Sequence, residues 1–186
     1  MNKVLKLLAF SDFFILSGFG LISPILAIYI STDLNGGIFY AGLATAVLLV
    51  TRSIFQVTFS YFFNPKDRLW LLRLGTLFIA LVPFGYILSQ NVWHLLIVQF
   101  MYGIGGSMAY PAWSSLWSSH IEKGKRGFQW SLYNSSITAG AAVTAFLGAW
   151  LAEQTSFTIV FLLTGIFSAI GLLILFRLEK KCLRRY

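Results

Sequence analysis

The sequence predicts an all-α membrane protein, with six transmembrane helices arranged as two inverted three-helix repeats. Three observations carry this. The 186 residues are 58% hydrophobic and only 11% charged, unlike a soluble domain. Six apolar stretches, 7–30, 38–62, 69–89, 92–118, 128–151 and 157–176, each reach the roughly twenty residues that a helix needs to cross about 30 Å of hydrocarbon. Every Lys and Arg except Arg52 lies before the first stretch or after the second, fourth or sixth, and none lies in 31–37, 90–91 or 152–156. A chain in lipid must satisfy its own backbone hydrogen bonds, as helices or as barrel strands. Runs this long without strict alternation select helices. Cytoplasmic loops retain positive charge, so both termini are expected in the cytoplasm, in a bacterial cytoplasmic (inner) membrane. The same distribution explains the net charge of +8. It leaves no soluble basic domain for nucleic acid.

Span one opens with Lys3 and Lys6 in the manner of a signal peptide, but its apolar run is too long and Asp12 interrupts it, so an uncleaved first span is expected. Asp12 lies about five residues inside, or roughly 7–8 Å deep, and Arg52 in span two about ten residues inside, or roughly 15 Å deep. Charge inside a membrane costs about 2.5–3.5 kcal/mol on insertion scales, so it faces a cavity or a partner. The Arg stem snorkels towards the same interface, which makes an Asp12–Arg52 pair geometrically reasonable. Such a pair either gates a cavity and senses substrate charge or protons, or only neutralises two buried charges. A hydrated Asp12 with no specific task is the third reading. Gln56 follows Arg52 by one helical turn, extends a polar stripe with Thr45 and is assigned with Arg52 to the cavity.

Span three is preceded by Lys66 and Arg68 and carries Arg73 near its start. Span four repeats Gln99, Tyr102, Gly103, Gly106, Tyr110, Trp113 and Trp117 at helical spacing. A lipid-facing helix has no need of Gln and Gly on one stripe, whereas a cavity wall does, with Tyr and Trp adding surface for an amphipathic ligand. Gln99 and Tyr110 are assigned to the cavity. Trp117 is assigned to the interfacial aromatic belt, and Trp113, which also fits the belt, to the cavity. Span five carries Trp130, Asn134, Thr138, Ala141, Ala145 and Gly148 on one side. These are mostly small residues suited to close packing, with Asn134 the candidate ligand contact. After span six the basic tail 177–186 serves as a topology anchor. Its Cys182 is the sole cysteine, so it allows no intrachain disulfide.

Spans one and four share a motif: Gly18 and Gly20 precede Pro24, and Gly103 and Gly105 precede Pro111. Three spans reverse direction, so triplets 1–3 and 4–6 are inverted copies, and matched Gly/Pro-interrupted helices in such copies point to a substrate path. The glycines also serve close helix packing. Catalysis is not expected. His94 and His120 stand about 39 Å apart along span four, too far to activate Ser107 between them. Asp12 has no second carboxylate facing it, and no zinc cluster or phosphate-binding Gly-rich loop is present, so no metal or other cofactor is expected.

Over essentially its whole length the chain resembles one six-helix half of a major facilitator superfamily transporter. The loop after span two falls in the register of that family's G-x-L-a-D-R-x-G-R-[RK] signature, with Gly75 at the glycine that follows it. Ser60, Asn64, Pro65 and Asp67 replace signature residues, and Arg68 is retained. Gly103 and Gly105 match the R-x-x-x-G-x-G pattern of span four, with Gln99 in the Arg position. Thr144 and Ala145 replace the Gly-Pro of the drug-antiporter signature in span five. The resemblance implies a secondary active transporter half that moves a small-molecule substrate by alternating access. Ser60, Asn64, Asp67 and Arg68 would then form the cytoplasmic gate loop. It also implies a lipid-embedded partner, either a second copy as a parallel homodimer or another six-span half. The alternative is a truncated or non-transporting membrane scaffold.

Overall fold

The computed structural model describes residues 3–62 and 68–178, and those residues form helices joined by short turns. In order they are α1 (Lys3–Ile22), α2 (Leu26–Thr32), α3 (Gly37–Phe62), α4 (Arg68–Leu88), α5 (Val92–His120), α6 (Arg126–Gln154) and α7 (Phe157–Phe176), with one 3-10 turn, Lys123–Lys125, before α6. Six helical spans are long and apolar enough to cross a membrane, the first made of α1 and α2 together. That span is interrupted at Ser23–Ile25, where Pro24 has no N–H to continue the ladder. Pro83 and Pro111 sit inside α4 and α5 without breaking them.

The packing has the symmetry that two inverted triplets require. α1 packs on α6 and α7, α5 packs on α3 and α4, and α4 packs on α7. A rotation that exchanges spans one to three with four to six maps each of these contacts onto another, or onto itself. The paired glycines explain how α1 and α5 each fit between two neighbours. Residues two apart on a helix point to nearly opposite sides, so G-x-G opens both flanks at once. A Cβ on Gly18 would stand 2.8 Å from Phe167 of α7, while Gly20 faces Ala141 and Thr144 of α6. On α5, a Cβ on Gly103 would stand 2.7 Å from Thr51 of α3, and one on Gly105 would stand 2.9 Å from the Gly75 carbonyl of α4. Gly75 meets the same seam, where a Cβ would come within 2.6 Å of the Ala109 nitrogen. The two pairs therefore do the same two jobs in opposite order along the chain.

Hydrogen bonds tie the seams. Ser11 Oγ donates to the Gly171 carbonyl at 2.8 Å and Thr164 Oγ1 donates to the Gly18 carbonyl at 3.0 Å, both between α1 and α7. The carbonyls at the end of α7 are capped by Arg73 from the start of α4. Its Nη2 donates to Leu178 at 2.6 Å, Phe176 at 3.2 Å and Leu175 at 3.4 Å, and its guanidinium lies 5.1 Å from the Phe176 ring. A cation there answers the negative end of the helix dipole. At the opposite edge the end of α4 is capped by a neutral group, the Tyr29 hydroxyl on the Tyr86 and Ser89 carbonyls at 3.0 and 3.3 Å. The α2–α3 turn uses Asn35 in the left-handed region (φ 51°), which lets the Gly36 N–H reach the Ile30 carbonyl at 2.8 Å. Asn91 caps α5 by accepting from the His94 N–H at 3.0 Å.

Candidate solute cavity

A cavity of about 290 Å³ lies between the two triplets. α1 contributes Ser11, Asp12, Ile15 and Leu16, and α3 contributes Arg52 alone. α5 supplies the broadest wall, with Tyr102, Gly106, Tyr110 and Trp113 spaced along one stripe, and α6 contributes Tyr133. Leu72, Thr76 and Ile79 of α4, Ala109 of α5 and Leu175 of α7 complete it. The stripe on α5 is visible in the sequence because residues three and four apart share a helix face.

Asp12 and Arg52 both reach this cavity, but they do not pair. The Tyr133 hydroxyl donates to Asp12 Oδ2, and Arg52 stacks over the Tyr110 ring with Cζ 4.8 Å from its centroid. No Asp12–Arg52 ion pair forms, so the neutralising contact expected from their depths is corrected. The two side chains leave different helices, and each meets an aromatic residue first. The arginine stem passes beside Gly106, where a Cβ would stand in ordinary contact, 3.6 Å from Arg52 Cδ. Tyr102 lies within electrostatic reach of both charges and stacks on Phe19 at 4.7 Å.

Tyr133 was not singled out in the sequence, although it proves central. Its ring joins Trp113, Trp117 and Trp130, with centroids 4.8, 4.9 and 6.0 Å away. Trp113 and Trp117 stack at 5.1 Å. Trp117 is fully buried in this cluster, which corrects its assignment to the interfacial belt. The signal that could have found Tyr133 is its position one turn after Trp130, matching the one-turn spacing of Trp113 and Trp117 on the partner helix.

The other expected cavity residues lie elsewhere. Gln99 is 2% exposed and packed away from the cavity, and its Oε1 accepts no hydrogen bond from the described residues. Gln56 is half-buried on α3 and Asn134 is exposed on α6, both outside the cavity lining. Of the gate-loop candidates, Ser60 is exposed near the end of α3 and Arg68 begins α4 half-buried. Asn64 and Asp67 lie outside the described residues.

Comparison with known proteins places this architecture in a family. The sequence profile described as Major Facilitator Superfamily matches residues 8–185. An uncharacterised MFS-type transporter of Methanocaldococcus jannaschii is 24% identical over 178 residues, which cover 94% of this chain and 45% of the relative. The multi-drug resistance efflux pump PmrA of Streptococcus pneumoniae is 24% identical over 169 residues, covering 88% of this chain and 41% of that protein. The crystal structure of the POT family transporter PepTSo superposes with a TM-score of 0.75 at 14% identity, covering 95% of this chain and 37% of that one. The chain thus spans less than half the length of the relatives it matches.

Proposed function

Because the chain belongs to the Major Facilitator Superfamily, we propose that it acts as one six-span half of a secondary active transporter, moving a small solute by alternating access. The solute passes through the cavity between the triplets, where Asp12, Arg52, Tyr102, Tyr110, Trp113 and Tyr133 converge. The naming of PmrA as a multi-drug efflux pump favours an amphipathic solute, and the aromatic walls favour the same. The two triplets rock against each other about this site. Both termini face the cytoplasm of a bacterial inner membrane, in keeping with the basic loops, and Ser60 and Arg68, at the facing ends of α3 and α4, brace that side.

The observation that carries the reading is the uneven covering of the spans. In the most apolar windows of α3 and α6, only 11% of residues are buried, against 50% for the first span, α4 and α5. Two related helices left bare by their own bundle are suited to packing on a second half. A parallel copy related by an axis along the membrane normal provides one, as does another six-span segment.

Reconstitution in proteoliposomes tests transport, and cysteine crosslinking from α3 and α6 in native membranes tests assembly. Solute flux with crosslinks through those two helices is expected. A strictly monomeric chain without flux or partner defeats the proposal.

A further inference from the structure

The cavity holds two opposite charges that the protein does not join. Asp12 is held by a neutral phenol and Arg52 lies on a neutral ring, so neither has a counter-ion among the described residues. Both line the same small space, walled largely by aromatic and aliphatic side chains. In such low-dielectric surroundings an uncompensated charge is costly. A ligand carrying one charge compensates one wall and leaves the cavity with a net charge. A ligand carrying both compensates Asp12 and Arg52 together and keeps the cavity neutral. The volume of about 290 Å³ is at the small end for ligand sites.

We propose that the cavity binds a small zwitterion with an aromatic or apolar body, its cationic group on Asp12 and its anionic group on Arg52. The hydrocarbon body lies against Tyr102 and Trp113, and the neutral partners Tyr133 and Tyr110 hold the two charges apart while the site is empty. This assignment rests on the reading of the cavity as the solute site.

The test uses the full chain in liposomes, with labelled phenylalanine as probe. Two competitors keep the same ring but lose one charge each: phenethylamine, a cation, and 3-phenylpropionate, an anion. Saturable phenylalanine binding is expected, with both competitors about tenfold weaker or worse. Asp12→Asn should abolish competition by phenethylamine and spare 3-phenylpropionate, whereas Arg52→Gln should do the reverse. A residue needed only for folding would weaken both competitors alike, and circular dichroism checks that both variants fold. The assignment is overturned if phenethylamine binds as tightly as phenylalanine and Arg52→Gln changes neither, which would give Arg52 a carboxylate of the second half instead. It is also overturned if phenylalanine does not bind saturably. Flux of a lipophilic cation such as ethidium in that last case leaves the solute-cavity reading standing and removes only the zwitterion; loss of both defeats both.

Discussion

Replacing Arg73 by Gln isolates the cap that α4 places on α7. The wild-type guanidinium makes one short bond, 2.6 Å to the Leu178 carbonyl, and two long ones at 3.2 and 3.4 Å. A hydrogen bond to a charged group contributes about 1.5–3 kcal/mol, and a cation at a helix C-terminus adds about 0.3–1 kcal/mol. Arg73 is half-buried, so water compensates part of the loss. Gln is shorter and neutral, and it retains one weak contact at best. The net cost works out at about 2 kcal/mol, dominated by the short bond. For a chain of this size, each kcal/mol shifts the unfolding midpoint by roughly 2–4 °C. Thermal unfolding in detergent should therefore show a fall of about 4–8 °C. Arg73→Lys should fall between, since an ammonium keeps the charge but not the planar fork. A shift below about 1 °C for Arg73→Gln, or equal shifts for Gln and Lys, refutes the argument that the short charged bond dominates.

Further substitutions test other contacts. Tyr133→Phe removes the partner of Asp12 but keeps the ring cluster, so it should cost about 1–3 kcal/mol; much of that should disappear in the Asp12→Ala background, which leaves no acceptor, as a double-mutant cycle would read. Gly75→Ala forces a methyl against the backbone of α5 and should lower the unfolding midpoint. Gly42→Ala has nothing within 4 Å and should raise stability by about 0.5–1 kcal/mol through helix propensity; a fall instead would reveal a neighbour on that face. Asp12→Asn and Arg52→Gln should each impair solute uptake in proteoliposomes without preventing membrane insertion, and unchanged uptake in both would reduce the two charges to a structural part.

The fold was legible because the bilayer imposes it. Span length and the placement of Lys and Arg depend on position along the membrane normal, which a sequence records directly. The Gly18–Gly20 and Gly103–Gly105 pairs were legible for a related reason, since a two-residue offset fixes opposite faces whatever lies beyond them. Rotation about the normal is not recorded in this way. A snorkelling Arg52 stem was expected to bring its head up to Asp12; the side chains meet Tyr110 and Tyr133 instead. Gln99 shares helical spacing with Tyr102 and Gly103, yet it turns into the packed interior because one stripe has two edges. The Arg73 cap joins residues about a hundred positions apart, so no local pattern announces it.

The bare flanks of α3 and α6 would be a hazard in water, where uncovered oil-like surface drives clumping. Acyl chains are no less welcoming to leucine than another helix is. A lone bundle can therefore rest in the bilayer with two sides unclaimed and its fold intact, whether or not a matching bundle lies alongside. What it then gains is fit and not shelter, so such assemblies should form reversibly and respond to how crowded the membrane is.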